Sequence, residues 1–114
     1  MDISFKNNRI EKICNNEKVM SKHLDKQNAK KLKQRLFELR AASSLDKISH
    51  LPPPRLHELD QDRNGQFAVD LKHPFRLIFE PDHDPVPRKS DGGIDRTLIS
   101  AIKIIEVGVD YHGK

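Results

Sequence analysis

Apolar residues recur along this chain at two periods, and the change from one to the other falls at a proline cluster. Before the prolines the spacing is three and four. Ala29, Leu32, Leu36 and Leu39 share one face of a helix that Asp25 is placed to cap, while Lys30, Lys31, Lys33 and Arg40 point elsewhere. Upstream, Ile3-Ser4-Phe5 alternates over enough residues for a brief first strand. Asn7 or Asn8 then caps a short helix starting near Arg9, with Ile10, Ile13 and Cys14 as its inward stripe and Asn15-Asn16 weakening or ending it. Ala41-Ala42-Ser43-Ser44 closes the long helix, and Leu45-Asp46-Lys47-Ile48 has room for one more turn. Leu51-Pro52-Pro53-Pro54 stops any helix, because proline lacks the N–H donor and clashes with the preceding turn.

After the prolines the period becomes two. Arg55 to Leu59 fits a short strand, and Asp60-Gln61-Asp62-Arg63-Asn64-Gly65 is turn chemistry. Phe67, Val69 and Leu71 alternate with Ala68 and Asp70, and Phe75, Leu77 and Phe79 alternate with Arg76 and Ile78. Between these runs stands Lys72-His73-Pro74. A three-residue loop there sets Leu71 opposite Phe75, Val69 opposite Leu77 and Phe67 opposite Phe79, all six on one face. A two-residue loop would put Arg76 opposite Leu71 on the apolar side. The first register is expected, since a slip of one residue reverses every side chain, and it leaves Arg76 on the face away from the helices. The 81–96 stretch, PDHDPVPRKSDGGIDR, has no apolar period and reads as a long surface loop, mobile or functional. Leu98 to Val109 is the last strand, with Ile102, Ile104 and Ile105 apolar enough to lie centrally and be buried on both faces. A strand, two helices and an antiparallel meander make one α+β domain over residues 1–114, its helices packed on one face of a twisted sheet.

Composition narrows the function classes. The single cysteine, Cys14, cannot form an internal disulfide or supply a CxxC metal pair. No apolar run approaches the roughly 20 residues of a membrane span, and no charged-then-apolar leader is present. A cytoplasmic protein without a membrane partner is expected. The net charge of +4 is unevenly spread. The segment from Lys22 to Arg40 holds seven basic and two acidic residues, a net +5, so the rest of the chain nets −1. That stripe fits a nucleic-acid partner, or is the solvated face of an amphipathic helix. Six histidines are present, at 23, 50, 57, 73, 83 and 112, none at metal-ligand spacing. Neighbouring loop residues such as Asp82-His83-Asp84 rarely converge on one ion, so no metal and no cofactor is expected. Gly-rich phosphate loops and nucleophile motifs are absent.

The chemistry left is acid–base. RNA can be cut without a metal if one group takes the 2′-OH proton, another neutralises the phosphate and a third protonates the leaving 5′ oxygen. Histidine suits the proton transfers and arginine the phosphate. His57, His112 and Arg76 are such a set, with the only tyrosine, Tyr111, available to stack on a base or assist a transfer.

Four runs in order, Arg55-Leu56-His57-Glu58-Leu59, Asp62-Arg63-Asn64-Gly65-Gln66-Phe67, Phe75-Arg76-Leu77-Ile78-Phe79 and Val109-Asp110-Tyr111-His112, resemble the HigB branch of the RelE toxin superfamily, also described as plasmid-maintenance killer proteins. Ile3-Ser4-Phe5-Lys6 and the leucine-rich second helix are similar too, so the resemblance spans the chain apart from the 81–96 loop. It implies a RelE-like, microbial-RNase-type α+β fold and a toxin that cuts mRNA on the ribosome. It further implies a cognate helix-turn-helix antitoxin, and operator DNA reached only through the antitoxin complex. By the same resemblance His57, Arg76, Asp110, Tyr111 and His112 are the catalytic residues. The basic stripe offers Lys30, Lys31 and Lys33, and the turns offer Arg63 and Lys72, as candidates for RNA or ribosome contact. Two positions depart from the pattern. Asp60 stands where relatives carry lysine and would repel phosphates, and Pro74 occupies a turn position that can be asparagine. A slower enzyme, a site rerouted through Arg63 or Lys72, or a catalytically weak homologue acting mainly as antitoxin-binding co-repressor are the consequences Asp60 raises.

Overall fold

The computed structural model describes residues 1–110, with the side chains of Val109 and Asp110 outside that description. The first strand, β1 (Asp2–Phe5), leads into α1 (Asn8–Asn15), whose N-terminus is capped by the Asn7 side chain accepting from the Ile10 N–H. The asparagine pair ends α1, with Asn16 as its C-cap. Asn16 caps a further helix, α2 (Glu17–His23), by accepting from the Val19 N–H. Only Met20 of that helix is buried, so no apolar period announces it. Asp25 caps the longest helix, α3 (Lys26–Ala41), through the Asn28 N–H. Its inward residues include Ala29, Leu32, Leu36 and Leu39, as the spacing requires.

The meander follows as β2 (His57–Glu58), β3 (Phe67–Asp70), β4 (Phe75–Pro81) and β5 (Ala101–Asp110). Among the described residues the five strands form one sheet in the order β1-β5-β4-β3-β2. The β3–β4 pair adopts the three-residue-loop register, with Phe67 opposite Phe79 and Val69 opposite Leu77, and Leu71 N–H donates to the Phe75 carbonyl. The meander pairs are antiparallel, whereas β1 joins β5 in parallel and makes the sheet mixed.

One face of the sheet carries Phe67, Val69, Leu77, Phe79, Ile102, Ile104 and Val107 into a single core with the inward residues of the helices. Burying a side chain of this kind contributes about 1.5–3 kcal/mol. The other face carries Ala68 and Ile78, which are buried as well, together with Arg76. Ile105 lies at a register shift between Ile78 and Phe79, and Ile102, Ile104 and Ile105 are all buried in a strand flanked on both sides.

The 81–96 loop is tied down at several points. Ile94 is buried in the core, Arg88 and Ile94 form a bridge, and the His83 Nε2 accepts from the Ser100 and Ala101 N–H groups. Among the described residues no helix is long and apolar enough to cross a membrane.

Candidate functional site

The face of the sheet away from the helices gathers His57 and Arg76. His57 lies opposite Ala68 across the β2–β3 pair, and Ala68 lies opposite Ile78 across β3–β4. Two residues along β4 from Ile78, on the same face, is Arg76. Strand alternation therefore brings the two side chains together, and Arg76 Nη1 donates to His57 Nε2 at 2.7 Å. The other ring nitrogen, Nδ1, donates to the Arg55 carbonyl at 2.9 Å. Both contacts are satisfied by the neutral imidazole with its hydrogen on Nδ1, which leaves the Nε2 lone pair as acceptor. A neutral imidazole and a fixed guanidinium in contact combine a proton acceptor with a permanent cation.

Strand β5 contributes its end to the same region. A register shift between Arg76 and Leu77 places Val109 opposite Arg76 and Asp110 opposite Phe75, while Leu77 pairs with Val107. The extra residue is Gly108, at φ +74°, where an added Cβ would lie 2.8 Å from the Leu24 Cδ2. Bulges of this kind re-aim the chain beside functional sites. Of the expected catalytic set, His57 and Arg76 meet, and the backbone of Asp110 lies two strands from His57's neighbour β3. Tyr111 and His112 fall outside the described residues.

The expected RNA-contacting residues are divided among three places. Lys30, Lys31 and Lys72 line one groove of about 560 Å³ with Gln27, Gln34 and Pro53. Lys72 is brought there by Asn28, a buried residue whose Oδ1 accepts from the Lys72 N–H at 2.9 Å. Lys33 points to the other side of α3 and pairs with Glu17 at 2.7 Å. Arg63 pairs with Glu106, the β5 residue opposite Ile78, and donates to Gln66 Oε1. Arg63 therefore lies on the His57–Arg76 face, with its charge already engaged. Asp60 is exposed.

Two residues of the region escaped the pattern of periods. Arg35 is buried, donating through Nε to the Asp70 carbonyl at 2.8 Å and through Nη1 to Glu38, so it belongs to the interior and not to the basic stripe. Arg55 clasps Asp70 at two points, 2.6 and 3.0 Å. Fork-shaped pairing of this sort fixes orientation as well as charge. Asp70 is the register partner of Arg76, a position from which the Arg55 pair follows once the register is known. Among the described residues no three His, Cys, Asp or Glu side chains gather as metal ligands would.

The fold is shared with solved structures at low identity. A chain of the YoeB-YefM complex from Staphylococcus aureus superposes with a TM-score of 0.57 at 17% identity, over 97% of this chain and 98% of that one. A chain of the heterotetrameric YoeB-YefM toxin-antitoxin complex from the same species gives 0.56 at 16%, with the same coverage. No family model matches the chain, and no curated protein matches it. At these identities the likeness is one of architecture: three helices on a five-stranded sheet, traversed from end to end.

Proposed function

We propose that the protein is the toxin of a type II toxin–antitoxin pair, a HigB-like member of the RelE superfamily, and that it cleaves mRNA on the ribosome by acid–base attack of the 2′-OH. The observation that carries this reading is the hydrogen bond between Arg76 and His57 on the sheet face opposite the helices. The shared architecture with the toxin-antitoxin complexes supports the class. An entering phosphate takes the donors of Arg76, which frees the Nε2 lone pair of His57 to accept the 2′-OH proton. The guanidinium then holds the extra charge of the crowded phosphate. His112 supplies the proton to the leaving 5′ oxygen, with Tyr111 and Asp110 completing the set. Lys30, Lys31, Lys72, Lys33 and Arg63 are the phosphate contacts toward RNA or ribosome. A helix-turn-helix antitoxin is the partner, and operator DNA is met through that complex.

Expression without the antitoxin is expected to arrest growth, and co-expression of the adjacent gene product to relieve it. Arg76→Gln and His112→Ala are each expected to suppress arrest while leaving the fold and antitoxin binding intact. If both variants remain fully toxic, the assignment of the site is wrong.

A second reading has one observation in its favour. Asp60 is exposed where the family pattern has lysine, and the nearest substitute, Arg63, is held by Glu106. A protein of this kind binds antitoxin and represses its operon with no detectable cleavage at codons. A cleavage assay containing ribosomes separates the two.

A further inference from the structure

We propose that Arg55 and Asp70 are positioning residues that set the tautomer of His57. The proposal deepens the reading of His57 as a proton acceptor and rests on it for its bearing on catalysis. Its structural part does not depend on activity.

Arg55 is one of two non-glycine residues in the described chain at positive φ, here +49°. That conformation is rare for an L-residue, and such residues cluster at functional sites where surrounding contacts over-determine them. Several contacts do so here. The Arg55 N–H donates to the Leu51 carbonyl, and the Leu56 N–H donates to the Ser49 carbonyl while the Leu56 side chain enters the core. On the other flank the Asp70 N–H donates to the Pro54 carbonyl. The guanidinium of Arg55 then locks onto both oxygens of Asp70 through Nε and Nη2. In this arrangement the Arg55 carbonyl lies 2.9 Å from Nδ1 of His57, two residues on.

The consequence is chemical. A carbonyl oxygen only accepts, so it demands the hydrogen on Nδ1. The lone pair is thereby assigned to Nε2, the nitrogen that meets Arg76. Without this carbonyl only the Arg76 donor would oppose the Nε2–H form that a free histidine side chain favours, and in that form Nε2 would present a hydrogen toward the guanidinium donors and the ring would turn away. Asp70 also lies opposite Arg76 in the β3–β4 register, so one carboxylate fixes the backbone that orients the histidine and borders the arginine the histidine touches. The Arg35 contact to the Asp70 carbonyl holds the same strand end to α3.

The test is the imidazole nitrogen spectrum of the full-length, 15N-labelled chain at a pH where His57 is neutral. The parent should show His57 with its proton on Nδ1 and an unprotonated Nε2. Arg55→Gly keeps the backbone permission for positive φ and removes the clasp, and Asp70→Asn keeps the volume and removes the charge. Each is expected to move His57 predominantly to the Nε2–H pattern. His83, whose Nε2 accepts two N–H groups far from Arg55 in sequence, reports in the same spectrum that the fold stands. In a ribosome-containing assay the two variants should lose tenfold or more in cleavage rate with little change in substrate affinity. If His57 keeps the Nδ1–H form in both variants, the proposal is overturned. If the tautomer moves but the parent itself cleaves nothing, the positioning holds and the reading as a nuclease fails.

Discussion

Replacing Gly108 by alanine is expected to destabilise the protein by about 1.5–3.5 kcal/mol, and the structure separates that figure into two parts. The first is conformational: Gly108 has φ +74°, and an L-residue in the left-handed region costs about 1–2 kcal/mol. The second is steric. The new Cβ would stand 2.8 Å from the Leu24 Cδ2, a distance that real Cβ atoms do not tolerate. The obstacle is the end of a flexible side chain, so Leu24 can move off its rotamer at a cost of about 0.5–1.5 kcal/mol. Urea unfolding followed by circular dichroism would read the sum as a lowered midpoint with an unchanged slope. A double-mutant cycle with Leu24→Ala isolates the steric part, with an expected coupling of about 1 kcal/mol. Because Gly108 is the extra residue that puts Val109 opposite Arg76 and Asp110 opposite Phe75, the same variant should also lose cleavage activity. A Gly108→Ala protein within about 0.5 kcal/mol of the parent would refute the bulge argument, and so would a coupling near zero.

Other expectations follow from single groups. Burial pushes the Cys14 thiol up to about 12, so it should resist thiol reagents in the native state at pH 8 and react fully in denaturant. The Asn28 backbone N–H, then its side-chain amide, holds the Asp25 carboxyl below its ordinary value. The stability this gives is present above the unfolded carboxyl's pKa and is lost as pH falls through the lower folded one, so Asp25→Ala should flatten the acid limb of the stability profile measured by thermal melts. Asp60→Lys removes the exposed negative charge and is expected to raise cleavage and to steepen the salt dependence of RNA binding by about 0.7 in log–log slope for one added phosphate contact. An unchanged slope would place residue 60 away from the RNA.

Much of the scaffold was legible because it rests on local period. The Ala29, Leu32, Leu36 and Leu39 stripe defines α3, and the alternation around Lys72-His73-Pro74 fixes both the β3–β4 register and the face that Arg76 occupies. What stayed hidden depends on partners distant in sequence. The helix from Glu17 buries only Met20, too little to make a stripe. The parallel pairing of β1 with β5 joins the two ends of the described chain, and no local pattern encodes it. Charge counting places Arg35 with the surface lysines, whereas the Asp70 carbonyl and Glu38 draw it inside. For the same reason the basic stripe resolves into a groove with Lys30, Lys31 and Lys72 and a separate Lys33–Glu17 pair. At the candidate site, the His57–Arg76 meeting follows from strand alternation. The left-handed Arg55 and its clasp on Asp70 do not, because nothing in the run Arg55-Leu56-His57 marks a non-glycine residue for positive φ.

The central claim is that His57 and Arg76 form half of an RNA-cleaving site that works on the ribosome. Primer extension on an mRNA in a translating extract, with the parent protein and Arg76→Gln side by side, tests it most directly. The account predicts cuts within the coding region only while ribosomes occupy the message, with products ending in a cyclic or 3′ phosphate, and loss of those cuts in the variant. Intact message with the folded, antitoxin-binding parent protein would contradict it.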